Sequence, residues 1–192
     1  MIKIGLKSYI VSNKKLIYIE VFNLIWLREK IYMKKQYAFY AVTAALVVAI
    51  SLFIIIPVPA SNGFFTFADV GIVTASLVFG PIGGLVVGAM SGGLIDLLSG
   101  YAQWIIFSAL IHGAQGYIAG LAKDKGRKEK VLYLVLSAVV MVVGYAIASW
   151  ILYGTAAAAI AGLFTNILQS GVGSLIAIPI SIRLKPVIER YL

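Results

Sequence analysis

The sequence predicts an all-α membrane protein, a six-transmembrane-helix bundle with its N- and C-termini on the cytoplasmic side. Its residues are 61% hydrophobic and only 12% charged, and the mean hydropathy is +1.00, which is outside the range of soluble domains. The 16 Lys and Arg residues fall in three clusters, within residues 3–35, 123–130 and 183–190. Because positive charge stays on the cytoplasmic side of a membrane, an even number of spans must separate each pair of clusters.

Six apolar segments are available for these spans, and a full crossing takes about 20 residues. The first segment covers residues 37–56 and is ended by Pro57 and Pro59. The second, 68–79, is short for a full crossing, so we expect a tilted or partly broken helix. The other four segments are residues 82–98, 104–122, 131–153 and 156–182.

The connecting segments agree with this topology. Gly80-Pro81 forms an inner turn, while 62–66, 99–103 and Gly154-Thr155 form outer turns without basic residues. The basic loop 123–130 follows the fourth span. Every basic cluster then lies on the inner side, as the charge rule requires.

Residues 1–32 precede a natural start for a membrane protein at Met33, followed by two lysines and an apolar run. We expect them to be an upstream extension, such as a misassigned start, without a functional role. The alternative is an amphipathic helix on the inner membrane surface, with Ile17, Val21, Leu24 and Leu27 on one side. In both cases residues 33–192 form one membrane domain.

Composition excludes several kinds of site. The chain has no Cys and a single His, which excludes disulfides, thiolate metal sites and multi-histidine metal sites. The net charge of +9 comes from residues that flank spans, so topology and contact with anionic headgroups explain it better than nucleic acid does. We therefore expect no cofactor, no metal and no nucleic-acid partner.

A stripe of small residues runs along the first span at Ala41, Ala45 and Ala49. Small residues let helix backbones approach closely in lipid. The stripe is either an internal helix contact or a docking groove for another membrane protein, and its spacing alone favours the internal contact.

Two acidic residues, Asp69 and Asp96, lie near the outer ends of the second and third spans. Ionisable residues inside a membrane are costly and are functional candidates by default. Asp69 is also explained as an N-cap of the second helix, and Asp96 as a solvated helix end, so both interpretations stay open for each residue.

Polar and aromatic side chains recur on one face of the last three spans. They are Trp104, Ser108, His112 and Gln115 on the fourth span, Tyr145 and Ser149 on the fifth, and Asn166 and Gln169 on the sixth. Together they could line a pocket open to the outside, with aromatic faces for a flat ring and amides for its heteroatoms. The alternative for each amide is an interhelical hydrogen bond.

No catalytic motif is present. The run from Ala89 to Gly92 approaches the G-x-S-G of intramembrane serine proteases but lacks its first Gly, and the second span supplies no His base. There is no Walker A sequence and no paired-carboxylate motif for phosphatidyl transfer. We therefore expect that the chain is not an enzyme and that partner subunits hydrolyse any ATP used.

Five short motifs follow one another along the chain: Phe67-x-Asp69, Phe79-Gly80-Pro81-x-Gly83-Gly84, Gly92-Gly93-Leu94-x-Asp96-Leu97-Leu98-Ser99-Gly100-Tyr101, Trp104 with Phe107, and His112-Gly113-x-x-Gly116-x-x-x-Gly120. In their order and spacing, and in the six-span topology, the chain resembles the S components of energy-coupling factor (ECF) vitamin transporters. The resemblance covers residues 35–185. It is closest to the branch of riboflavin-, hydroxymethylpyrimidine- and pyridoxine-type S components.

This resemblance implies a subunit of the bacterial plasma membrane that captures a vitamin from outside and docks on a transmembrane coupling subunit bound to two cytoplasmic ATPases. It implies that Ala41, Ala45 and Ala49 form the docking surface, which reverses the preference from spacing. It places the pocket in the outer halves of helices four to six under the first outer loop. The candidate substrate-binding residues are Trp104, Ser108, His112, Gln115, Tyr145, Ser149, Asn166 and Gln169, with Asp96 and with the lid around Asn62 to Asp69.

None of these candidates is Lys or Arg, which disfavours anionic ligands such as folate or a phosphate ester. A small neutral heteroaromatic ring fits better, so pyridoxine or hydroxymethylpyrimidine is favoured over the larger riboflavin, which remains an alternative. A stand-alone secondary carrier is a second alternative, but it would need inverted repeats or a charged coupling site at mid-membrane. A structural subunit without any ligand is a third.

Overall fold

The computed structural model describes Trp26 and residues 33–58 and 63–191. The chain divides into two compact units, Met1–Ala38 with Leu192, and Phe39–Tyr191; the packing and the pocket described below lie within the second. Apart from Trp26, the expected extension 1–32 falls outside the described residues, as does the candidate Asn62.

The described part of the chain is mostly helical, as the sequence predicts. The first helix, α1, covers Met33–Phe53, and a short antiparallel hairpin follows it. A 3-10 turn at Ala102–Trp104 precedes the fourth helix. The remaining elements are β1 (Ile56–Val58), β2 (Gly63–Phe65), α2 (Ala68–Phe79), α3 (Pro81–Ser99), α4 (Ile105–Gly120), α5 (Arg127–Tyr153), α6 (Ala156–Ala161) and α7 (Leu163–Ile188).

Four helical segments among the described residues are long and apolar enough to cross a membrane: α1, α3, α5 and the stretch Ala156–Ile188 formed by α6 and α7. The other two are shorter, with 12 residues in α2 and 16 in α4. At roughly 1.5 Å per residue they extend about 18 Å and 24 Å, less than the roughly 30 Å of a hydrocarbon core. The bounds of α2 agree with the predicted short span, whereas α4 is shorter than the predicted segment 104–122.

The sixth predicted segment, 156–182, differs from the structure in two ways. It is interrupted at Gly162, and its second part continues to Ile188. The N-cap of the first part is Thr155, whose side-chain oxygen accepts a hydrogen bond from the Ala158 backbone N–H over 3.2 Å. Gly162 lines the pocket described below.

The loop between α1 and α2 contains a short hairpin that the sequence did not predict. Its strands pair in antiparallel register, with Ile56 opposite Phe65 and Pro57 opposite Phe64. Proline is tolerated there because each strand of a two-stranded sheet has an edge that needs no N–H donor.

Glycines bring α3 and α4 into backbone contact. A Cβ atom placed at Gly84 would lie 2.1 Å from the carbonyl oxygen of Gly116, and one at Gly88 would lie 2.1 Å from that of His112. No larger side chain fits at either position, in agreement with the role of small residues in membrane helix packing. The contact holds the face of α4 that carries Ser108 and His112 close to α3.

Helix α1 buries one face and exposes the alanine stripe. The buried face joins residues of α2 and α3 in a hydrophobic cluster that includes Tyr40, Ala44, Val47, Val48, Ile72 and Val87. Ala41, Ala45 and Ala49 are exposed. The stripe is therefore not part of the buried packing among the described helices, and its role in docking stays a prediction.

The loop between α4 and α5 and the C-terminal end of α7 lie at the same end of the bundle. Lys185 forms an ion pair and a hydrogen bond with Asp124. This hydrogen bond holds the pKa of the Asp124 carboxyl below its ordinary value. Two of the basic clusters thus meet at one end of the bundle.

Candidate ligand pocket

A pocket lies where β2 meets the C-terminal halves of α3 and α5 and the N-terminal parts of α4 and α7, at the end of α4 opposite the basic loop. Its cavity volume is about 60 Å³. It is lined by Phe64, Thr66, Ala68, Gly92, Ile95, Asp96, Tyr101, Trp104, Ser108, His112, Tyr145, Ser149, Gly162, Thr165, Asn166 and Gln169.

Most of the candidate residues from the sequence converge on this pocket. Those that line it are Asp96, Trp104, Ser108, His112, Tyr145, Ser149, Asn166 and Gln169. They come from four helices, so the shared helical faces predicted which side chains would meet. Gln115 and Asp69 are not among the lining residues. Contact of any candidate with a ligand stays a prediction.

The sequence did not single out the other half of the lining, although Phe64, Thr66 and Ala68 lie within the predicted lid around Asn62 to Asp69. This half consists of Phe64, Thr66, Ala68, Gly92, Ile95, Tyr101, Gly162 and Thr165. Phe64 and Thr66 belong to the hairpin and its exit, where no regular element was predicted. The one available signal for the α7 side was Gly162, a helix-weakening residue between two apolar runs.

Behind the pocket wall, Asp69 is fully buried and accepts hydrogen bonds from two glutamines. Gln115 Nε2 donates to Asp69 Oδ2 over 2.7 Å, and Gln169 Nε2 donates to Asp69 Oδ1 over 3.0 Å. The N-cap of α2 is Phe67, with no side-chain cap bond. Asp69 is therefore neither the N-cap nor a pocket-lining residue, and both of its oxygens are paired.

The same hydrogen-bond network reaches the pocket at two points. Gln115 Oε1 lies 2.7 Å from His112 Nδ1, and Asp69 Oδ1 is 3.9 Å from that nitrogen. The backbone N–H of Thr66 donates to Gln169 Oε1 over 3.0 Å, which ties the hairpin exit to α7. Gln115 therefore contacts the lining directly through the His112 ring and indirectly through Asp69 and Gln169.

Aromatic side chains form one wall of the pocket. The ring of Trp104, which is 5% exposed, lies with its centroid 5.7 Å from that of Tyr145 and 6.1 Å from that of Tyr153. The Tyr145 hydroxyl donates to Ser108 Oγ over 2.7 Å, and its ring meets that of His112 edge to face at 5.5 Å. These contacts fix the aromatic planes against which a flat ligand can pack.

Two polar atoms on lining side chains lack a partner among the described residues. Asp96 Oδ2 and Trp104 Nε1 are buried and make no hydrogen bond. Asp96 is 4% exposed, so it is not a solvated helix end. Because unpaired buried polar groups are costly, a ligand with a donor for Asp96 and an acceptor for Trp104 gains binding energy at both.

The charge of the lining residues restricts the ligand further. They include the carboxylate of Asp96 and the imidazole of His112 but neither Lys nor Arg. An anionic ligand would therefore find no basic partner and would be repelled by the carboxylate. Among the described residues, no group of three or more His, Asp or Glu side chains could hold a metal ion. The pocket suits a flat, uncharged ring with N–H or O–H donors.

Residues 32–186 match the family model described as "ECF-type riboflavin transporter, S component". The chain is 39% identical over 157 residues to the "Thiamine precursor transporter HmpT" of Lactococcus lactis subsp. cremoris (strain MG1363), across 81% of this chain and 89% of that protein. It is 35% identical over 123 residues to an "Uncharacterized protein in gap 3'region" of Pyrococcus woesei, across 63% of this chain and 82% of that protein.

The fold is similar to a solved one described as "Structure and mechanism of the S component of a bacterial ECF transporter". The two chains superpose with a TM-score of 0.61 at 20% identity, across 81% of this chain and 98% of the other. At that identity the likeness concerns the fold.

Proposed function

Since this chain belongs to the family of ECF-type riboflavin transporter S components, we propose that its pocket captures a small heteroaromatic vitamin or vitamin precursor for ATP-driven import. The family places it among multi-pass membrane proteins that bind the substrate of a transporter. The observation that carries the proposal is the pocket, in which Trp104, His112 and Asp96 surround one cavity without Lys or Arg.

We propose six membrane-embedded helices with both termini in the cytoplasm. The stretch formed by α6 and α7 counts as one, and the short helices α2 and α4 complete the six. The basic loop 123–130 and the end of α7 meet through Asp124 and Lys185, as expected if both are cytoplasmic. The pocket lies at the opposite end of α4, so it opens to the outside.

The favoured ligand is hydroxymethylpyrimidine, with pyridoxine next. Both are single small rings with hydroxyl groups, and hydroxymethylpyrimidine adds an aromatic amine that can donate to Asp96. The relative named as a thiamine precursor transporter supports this choice, since hydroxymethylpyrimidine is a precursor of thiamine. Riboflavin, which the description of the family names, is the alternative; its three fused rings need more of the pocket.

The proposed partners are a transmembrane coupling subunit and two cytoplasmic ATPases. The exposed stripe Ala41, Ala45 and Ala49 is the proposed docking surface for the coupling subunit, because small side chains allow close helix approach. In an apolar stretch of 18 residues, only 28% of α1 and 22% of α5 is buried, which leaves ample surface for lipid and for that subunit.

The test is calorimetric titration of the detergent-purified chain with hydroxymethylpyrimidine, pyridoxine and riboflavin, one at a time. The proposal expects one saturable site that prefers the two small rings. Tight riboflavin binding without a response to either small ring would contradict the ligand choice. No binding of any of the three, in a protein with a cooperative thermal transition, would contradict vitamin capture itself. Uptake in cells that lack the coupling subunit and the ATPases would instead support a stand-alone carrier.

A further inference from the structure

We propose that Asp69, which does not line the pocket, determines which of the two ring nitrogens of His112 carries the hydrogen. Through this choice, Asp69 makes the pocket select ligands with an N–H donor. Asp69 is thus a positioning residue that acts through Gln115. The ligand part of this inference rests on the proposed function. The state of the imidazole is a property of the protein without ligand and can be tested separately.

The argument begins at a backbone group whose polarity is fixed. The N–H of Thr66 can only donate, and it points at one end of the Gln169 amide over 3.0 Å. That end must therefore be the carbonyl oxygen, which leaves Nε2 to donate to Asp69 Oδ1 over 3.0 Å. The orientation of the Gln169 amide follows from its partners.

The second step concerns Gln115, whose amide lies between Asp69 and His112. An ionised carboxylate only accepts hydrogen bonds, and Asp69 is in the first turn of α2, where the helix dipole favours negative charge. The amide nitrogen of Gln115 must therefore face Asp69 Oδ2, at 2.7 Å. A flipped amide would place its carbonyl against the carboxylate.

The third step assigns the imidazole. With its nitrogen turned to Asp69, Gln115 presents Oε1 to His112 Nδ1 over 2.7 Å. Since Oε1 only accepts, Nδ1 must carry the hydrogen, and in the neutral ring Nε2 is then a lone-pair acceptor. Nε2 makes no hydrogen bond to the described residues. The ring lines the pocket, so Nε2 is the nitrogen available to a ligand.

The resulting pattern favours one chemical class within the proposed ligands. His112 Nε2 and Asp96 Oδ2 are acceptors, and Trp104 Nε1 is a donor. An aminopyrimidine has an N–H donor group beside a ring nitrogen that accepts, which complements both kinds of atom. A hydroxyl can donate or accept, so ligands that offer only hydroxyls depend less on the histidine tautomer. The aminopyrimidine is therefore the ligand class whose binding depends on Asp69.

Asp69→Asn should reverse this assignment by a defined route. Gln169 is held by Thr66, so it still requires an acceptor, which the new side-chain oxygen supplies. The new NH₂ group then faces Gln115, whose amide must flip to accept from it. The flipped amide presents its nitrogen to His112 Nδ1, which becomes the acceptor, and the hydrogen moves to Nε2.

A second change should restore the original state. In the double variant Asp69→Asn with Gln115→Glu, the new carboxylate accepts from the new amide on one side and from Nδ1–H on the other. The negative charge moves from position 69 to position 115, while the hydrogen returns to Nδ1. Rescue by this charge exchange would not occur if Asp69 contributed only to stability.

The experiment uses the fact that the chain has one histidine. The full chain, carrying a purification tag without histidine, is labelled with ¹⁵N-histidine, so nitrogen NMR reports His112 alone. We expect a protonated Nδ1 and an unprotonated Nε2 in the wild type, the reverse in Asp69→Asn, and the wild-type pattern in the double variant. An unprotonated Nδ1 or a doubly protonated ring in the wild type would overturn the proposal, even if no variant folds.

Titration with hydroxymethylpyrimidine tests the effect on the ligand. Asp69→Asn should weaken binding roughly 10- to 100-fold, because an N–H donor would then face a donor, and the double variant should recover most of the affinity. The matched control is Asp124→Asn in the exposed loop, at a positive φ of 61° that Asn tolerates; it should leave the tautomer and the affinity unchanged. If Asp69→Asn reverses the tautomer but leaves the affinity unchanged, the proposed ligand selection is overturned. If the wild type binds no vitamin, the proposed function is overturned, and the tautomer result stands.

Discussion

Gly92 is the position where a single methyl group should separate ligand binding from folding. It lies on α3, lines the pocket and faces the α4 backbone. A Cβ atom there would be 2.6 Å from the carbonyl oxygen of Ser108 and 2.9 Å from His112 Cδ2, whereas ordinary van der Waals contact begins at 3.4 Å. Gly92→Ala must therefore move α4 away by about 0.8 Å or compress the contact.

The size of the effect follows from that displacement. Overpacking costs roughly 1–3 kcal/mol, and replacing Gly by Ala inside a helix returns about 1 kcal/mol, so a net destabilisation of about 0–2 kcal/mol is expected. A shift of this size would lengthen a ligand hydrogen bond of about 2.9 Å beyond the usual limit of about 3.2 Å. Loss of the expected ligand bonds to Ser108 and His112, at roughly 0.5–1.5 kcal/mol each, should weaken binding roughly 5- to 150-fold.

The neighbouring Gly93 supplies a matched control. A Cβ atom there would lie 3.4 Å from that of Ala109, an ordinary contact. Gly93→Ala should leave affinity unchanged and leave stability unchanged or raise it by up to about 1 kcal/mol. Calorimetric titration and thermal unfolding in detergent measure both quantities. Wild-type affinity in Gly92→Ala, or an equal loss in Gly93→Ala, would refute the packing argument.

Two further predictions concern the aromatic wall and the docking stripe. Trp104→Phe keeps an aromatic face but removes the unpaired N–H, so hydroxymethylpyrimidine should bind roughly 5- to 10-fold more weakly. The control is Trp150→Phe, at a side chain that is 60% exposed, which should bind the ligand as the wild type does. Equal losses of affinity in titrations of the two variants would argue against a ligand contact at Trp104. Ala41→Trp or Ala45→Trp should prevent co-purification with the coupling subunit while ligand affinity stays unchanged, and Leu175→Trp on the exposed surface of α7 is the control. Intact assembly of the stripe variants would contradict docking through α1.

The sequence predicted the helices best where it carried strong local signals. The bounds of α2 and α3 were predicted to within one residue because Gly80 adopts a positive φ of 88° that favours glycine and Pro81 occupies the first turn of α3. The interruption at Gly162 and the hairpin were missed. The hairpin packs against a distant part of the chain, with the Phe64 ring 4.8 Å from that of Tyr101, and local patterns do not reveal such contacts.

The pocket was predicted in part, because helical periodicity shows which side chains share a face but not what each side chain contacts. Helical periodicity placed Ser108 and His112 on one face, and the structure puts both into the lining. Periodicity could not distinguish Gln115 from them, although it points to a buried carboxylate behind the wall. That distinction required knowing that Asp69, 46 positions earlier in the chain, lies between the amides of two other helices.

The central claim, that a vitamin-sized ring is captured against Trp104, can be measured with one fluorophore. The chain has three tryptophans, so replacing Trp26 and Trp150 by Phe leaves Trp104 as the only one. Titration with hydroxymethylpyrimidine should change its fluorescence saturably, with one ligand per chain and the same affinity as calorimetry gives for the wild type. Calorimetric binding without any change in the fluorescence of Trp104 would contradict the account, because the ligand would then be bound elsewhere.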